Sequence, residues 1–105
     1  MSISPINNNT VEQTVEIRNP DGLHMRPAMQ FVDLANSFES KITIEKDGET
    51  VDGKSIYQIT MLAATRGTKL KVVARGPDAK NAIELLVKIL ERETPEDVSQ
   101  APGNN

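Results

Sequence analysis

A chain of 105 residues with a net charge of −3, one histidine and no cysteine has room for one modest core and for a restricted set of functions. The acidic balance, with no basic stripe against it, excludes nucleic acid as a main partner, while a single histidine and no cysteine leave no disulfide, no thiolate chemistry and too few ligands for zinc. No basic, apolar leader opens the chain and no apolar run approaches the ~20 residues of a membrane span, so a cytoplasmic monomer with no metal, no cofactor and no membrane insertion is expected.

Residues 1–10 are polar and aperiodic, and residues 94–105 contain two prolines and a glycine without an apolar period. Both are expected to be disordered tails around a domain at 11–93. Val11, Gln13, Val15 and Ile17 alternate with polar residues, as a half-buried strand requires. A turn at Asn19-Pro20-Asp21-Gly22 stops it. From Met25, the spacing of Ala28, Phe31, Val32, Ala35 and Phe38 predicts a helix ending near Ser37.

Ile42 and Ile44 mark a second strand. Asp47-Gly48 signals a hairpin, and Thr50-Val51-Asp52 is the returning strand. Ser55 to Ala64 is apolar-rich at helical spacing, and Arg66-Gly67 closes it. Lys69 to Arg75 alternates again, with Leu70, Val72 and Ala74 inward. Pro77-Asp78 opens a last helix, with Asp78 as N-cap and Ala82, Ile83, Leu86, Ile89 and Leu90 as its buried stripe. The order β-α-β-β-α-β-α with short, half-polar strands predicts an α+β fold: a two-layer sandwich with an antiparallel sheet wet on one face and helices on the other.

His24 stands between the turn and the first helix, where free backbone N–H groups and the positive dipole end favour an anion. Arg26 follows two residues later, and Pro27 occupies the first turn, where its missing N–H costs nothing. Imidazole is partly neutral and nucleophilic near pH 7. A phosphoryl group on it carries close to two charges and three acceptor oxygens, which Arg26 and the first-turn amides can meet. By residue type alone, a lone histidine is more often a cap or a surface residue; its surroundings here favour chemistry.

Gly48 to Ser55 also matches the phosphate-loop pattern G-x-x-x-x-G-K-[ST] between a strand and a helix. The match is rejected. Asp47-Gly48 spends the loop interior on a hairpin, Glu49 and Asp52 bring carboxylates into a phosphate cradle, and no second acidic residue for magnesium is evident. Ser55 remains as N-cap of the middle helix and as a candidate regulatory phosphosite, since phosphate there meets the helix dipole favourably. Met25, Met29, Tyr57 and Met61 form either a small apolar docking patch or part of the core.

Gly22-Leu23-His24-x-Arg26-Pro27-Ala28, then Gly53-Lys54-Ser55-Ile56, Arg66-Gly67-x-Lys69-Leu70 and Gly76-Pro77-Asp78, together resemble the histidine-containing phosphocarrier protein (HPr) family of the bacterial phosphoenolpyruvate-dependent phosphotransferase system, over about residues 11 to 93. The resemblance implies an open-faced sandwich of four antiparallel strands with three helices on one face. It implies a phosphoryl carrier without turnover of its own: His24 accepts phosphate on Nδ1 from enzyme I and passes it to sugar-permease A components. Arg26 binds the phosphate and Pro27 shapes the helix start. Ser55 aligns with the serine modified by an HPr kinase/phosphorylase in some bacteria. Docking is expected to use Met25, Ala28, Met29, Ile56, Tyr57 and Thr60, through the starts of the first two helices. The rival within the family is a regulatory member, serving nitrogen control or kinase-controlled binding in place of sugar uptake. The chain departs from the family pattern at Met25, where alanine or threonine is usual, at Tyr57 and Thr60, where apolar residues are usual, and at Ala63, often glycine.

Overall fold

The computed structural model describes residues 4–7 and 9–92. Its elements run β1 (Ser4–Asn7), β2 (Thr10–Glu16), α1 (Met25–Ala35), β3 (Lys41–Lys46), β4 (Glu49–Asp52), α2 (Ile56–Met61), β5 (Lys69–Arg75) and α3 (Ala79–Leu90). The sheet order is β1-β2-β5-β3-β4, with every neighbouring pair antiparallel. The three helices and the four expected strands are therefore present, in an open-faced α+β sandwich.

The fifth strand, β1, corrects the expectation for residues 1–10. Ser4–Asn7 pairs along the outer edge of β2, with Ser4 opposite Glu12 and Pro5 opposite Val11. Thr10 belongs to β2 and faces Arg75 of β5. A strand added at an edge is held by main-chain bonds, so it needs no apolar alternation of its own and leaves little trace in the sequence. The expected tail at 94–105 lies outside the described residues.

The period-2 pattern divides the sheet into two faces. Val11, Val15, Ile42, Ile44, Leu70, Val72 and Ala74 point to the helices and are buried. On the other face Lys71 reaches Glu45 at 3.4 Å and Glu12 at 3.9 Å, across both neighbouring strands. These pairs are partly exposed and add little to stability. Helix α3 packs over β2 and β5, α1 packs on α3 and α2, and α2 covers β4. Phe31 of α1 is fully buried, a burial that contributes on the order of 2–3 kcal/mol.

The hairpin between β3 and β4 turns at Asp47 and Gly48, with φ of 52° and 85°, the paired positive φ values of a tight hairpin turn. Glu49–Asp52 is thus strand backbone, which removes the loop a phosphate cradle needs. Two local expectations shift. Helix α2 ends at Met61 rather than Ala64, because Ala63 takes φ of 50° and cannot continue a right-handed helix. Phe38 is only partly buried, packing against the rim of the core, and Leu85 of α3 is exposed.

Asp78 occupies the N-cap position of α3 but its side chain makes no cap bond. Its carboxylate instead accepts from the N–H of Glu39 and the N–H and hydroxyl of Ser40, at 3.0, 3.0 and 2.5 Å. These three donors, the Ser40 hydroxyl first, hold the carboxyl below its ordinary pKa. The aspartate ties α3 to the turn that ends α1.

Candidate functional site

The approach to His24 is fixed from two sides. The side chain of Asn19, buried, accepts from the N–H of Asp21 at 2.9 Å, while the Asn19 carbonyl accepts from Gly22 at 2.8 Å. This is the Asx turn that Asn-Pro-Asp-Gly favours. Gly22 has φ of +71°, and a Cβ there meets the Ala64 carbonyl oxygen at 2.6 Å. Leu23 N–H then donates to that same oxygen at 2.9 Å. The two glue points, Asn19 and the Ala64 carbonyl, are the residues that motif reading did not single out. Asn19 is legible as a turn former; the Ala64 contact is not.

His24 is the N-cap residue of α1, extended at φ −87° and ψ −172°, and its side chain makes no cap bond. Its carbonyl accepts from Ala28 N–H at 3.1 Å. Pro27 supplies no N–H, so the amides of Met25 and Arg26 are left at the helix start without intrahelical partners. No acidic residue lies in the first turn, so nothing there neutralises the positive dipole end. The Nε2 atom of His24 is enclosed and has no hydrogen-bond partner. The arrangement brings an imidazole, two amide donors and the exposed Arg26 together at the start of α1. Among the described residues no group of His and carboxylates is placed to hold a metal, and no helix is long and apolar enough to cross a membrane.

Ser55 caps α2 as expected, its Oγ accepting from Gln58 N–H at 3.2 Å. Its loop is fastened to the far end of α1: Lys54 Nζ donates to the Phe38 carbonyl at 2.8 Å, and Asn36 Nδ2 to the Lys54 carbonyl at 3.2 Å. Helix α1 rises about 1.5 Å per residue, so its length puts roughly 16 Å between those ends. His24 and Ser55 therefore sit at opposite ends of α1, and the two helix starts do not adjoin. It is the segment after α2, through Ala64, that comes to Leu23, the residue before His24.

The expected docking residues separate accordingly. Met25, Met29, Tyr57, Thr60 and Met61 are exposed. Thr60 Oγ1 is turned back onto the Tyr57 carbonyl at 2.8 Å. Ile56 is partly buried against the core. Ala28 is corrected: it has 0% exposure and packs inward on α1, out of reach of a partner. Pro27 is buried beside it.

A family model described as the PTS HPr component phosphorylation site matches residues 11–92. The phosphocarrier protein HPr of Vibrio cholerae is 40% identical over 81 residues, covering 77% of this chain and 95% of its own. Among solved structures, the phosphocarrier protein HPr from Bacillus anthracis superposes with a TM-score of 0.76 at 40% identity, covering 80% of this chain and all of that one. The structure of Crh, the Bacillus subtilis catabolite repression protein, described as a dimer with a swapping domain, gives a TM-score of 0.64 at 40% identity over 80% of this chain and 97% of that one.

Proposed function

We propose, because the chain belongs to the HPr family, that it carries a phosphoryl group on Nδ1 of His24 between enzyme I and sugar-permease A components. The observation that carries this reading is the placement of His24 at an uncapped helix start with no acidic residue in its first turn, with Nε2 enclosed. In the transfer, the Nδ1 lone pair attacks phosphorus as the bond to the donor's nitrogen breaks. Charge spreads over the three equatorial oxygens, where positioning and electrostatic stabilisation do most of the catalysis. Arg26 and the amides of Met25 and Arg26 meet those oxygens, and Pro27 sets the start of α1. The donor's own catalytic groups complete the site, so this chain acts stoichiometrically and has no turnover of its own.

The docking surface for enzyme I runs from Met25 and Met29 to Ile56, Tyr57 and Thr60. The protein works in the cytoplasm as a monomer, with β1 occupying the outer edge of β2. Ser55 is a second, regulatory site, modified by an ATP-dependent HPr kinase/phosphorylase. The similarity to Crh favours one alternative, a regulatory HPr-like protein in which binding controlled at Ser55, or a nitrogen-related circuit, replaces sugar uptake.

Incubation with phosphoenolpyruvate, magnesium and enzyme I tests the carrier. An acid-labile, base-stable label is expected on the native chain and none on His24→Ala; equal labelling of both refutes it. With ATP and the kinase, an acid-stable label lost in Ser55→Ala supports the regulatory site.

A further inference from the structure

Among the described residues every methionine is at the surface: Met25, Met29 and Met61 are 53%, 50% and 58% exposed. Methionine is ordinarily among the more buried residue types. Here none contributes to the core, and three of the five exposed large apolar side chains are thioethers, the others being Tyr57 and Leu85. Met25 opens α1, and Met29 follows one turn later on the same helix face. Met61 closes α2, and three residues further on Ala64 is bonded to Leu23. The three thioethers thus belong to the end of the fold that holds His24. The chain has no cysteine, so a peroxide meets no thiol first.

We propose that hydroperoxide oxidation of Met25, Met29 and Met61 to sulfoxides reversibly switches off docking of the phosphoryl donor. This rests on the docking surface proposed above. In each event the thioether sulfur attacks the terminal peroxide oxygen, the O–O bond breaks, an S–O bond forms, and the second oxygen takes up that hydroxyl's proton and leaves as water from hydrogen peroxide or as an alcohol from an organic hydroperoxide. Sulfur loses two electrons and the peroxide gains them. The flexible apolar side chain becomes a polar one that no longer gains from burial against a partner. Because the core contains none of the three, the fold survives the change. Sulfoxide reductases, one for each epimer, restore the thioether.

The test treats the full chain with hydrogen peroxide, verifies oxygen addition at the three residues by peptide mass, and measures phosphorylation by enzyme I and phosphoenolpyruvate. Oxidation is expected to slow phosphorylation on the order of tenfold with an unchanged melting curve, and the reductase pair is expected to restore the rate. In Met25→Leu/Met29→Leu/Met61→Leu, which keeps Met1, the rate is expected to be the same before and after peroxide, whatever its value. An oxidised native chain that is phosphorylated as fast as the untreated one overturns the proposal. So does a loss that the reductases do not reverse, or an equal loss in the triple variant. A native chain that enzyme I does not phosphorylate even before treatment refutes the carrier reading itself, and is told apart by that untreated control.

Discussion

The N–H of Leu23 donates to the carbonyl oxygen of Ala64 at 2.9 Å, so the residue before His24 is bound to the segment that leaves α2. The position of the imidazole thereby depends on a contact between stretches some forty residues apart, and the close approach at Gly22 makes that contact possible.

Gly22→Ala attacks it directly. The substitution imposes a left-handed conformation on alanine and drives its Cβ against the Ala64 oxygen at 2.6 Å. Urea unfolding is expected to show a loss of at least about 2 kcal/mol, with slower phosphorylation of the folded fraction. A loss within a few tenths shows that the two loops are not in register as described.

On the other side of the same contact stands Ala63, a non-glycine residue at φ of 50°. The turn follows the Leu62 carbonyl, which Lys46 Nζ holds at 2.7 Å, and leads into the bonded Ala64. Ala63→Gly removes the left-handed cost, partly offset by the greater freedom of glycine in the unfolded chain. The variant is expected to be more stable by about 0.5–1 kcal/mol, read as a higher denaturation midpoint at constant m-value. A lower midpoint contradicts the assignment.

Helix α2 has six residues, too few to persist without its ends. Replacing the cap in Ser55→Ala is expected to cost about 1 kcal/mol, and Ser55→Asp, which keeps an acceptor for Gln58 N–H, to recover most of it. Thermal melts of the three proteins decide the matter; equal midpoints for alanine and serine remove the cap from the account.

Acid tests the bond between α3 and the turn after α1. The Asp78 carboxyl lies below the ordinary 3.8 when folded and returns near that value when unfolded. A group depressed on folding stabilises above its unfolded pKa and loses that contribution as pH falls through the folded one. The native chain is therefore expected to lose stability progressively below about pH 3.8, and Asp78→Asn, already lacking the charge, to lose less across that window. Melting curves between pH 2 and 6 that run parallel for the two proteins rule this out.

What could be read from the residues alone divides along one physical line. Alternation at Val11, Val15 and Ile17 and the helical spacing from Met25 are local, and the corresponding elements lie where that spacing predicts. The uncapped helix start at His24 and the cap at Ser55 are local too. The features that depart from expectation depend on distant partners: the Asp78 carboxylate is drawn from its own helix by Ser40, α2 is cut short where Ala64 turns to meet Leu23, and Ser4–Asn7 becomes a strand because β2 offers it an edge. Ala28 misled for a related reason. It sits in the motif, but its face of α1 is claimed by the core.

The most direct measurement is nuclear magnetic resonance of the nitrogen-labelled chain after phosphorylation by enzyme I and phosphoenolpyruvate. A single phosphohistidine is expected, at His24, with the phosphorus bonded to Nδ1. Phosphate on Nε2, or on any residue other than His24, contradicts it.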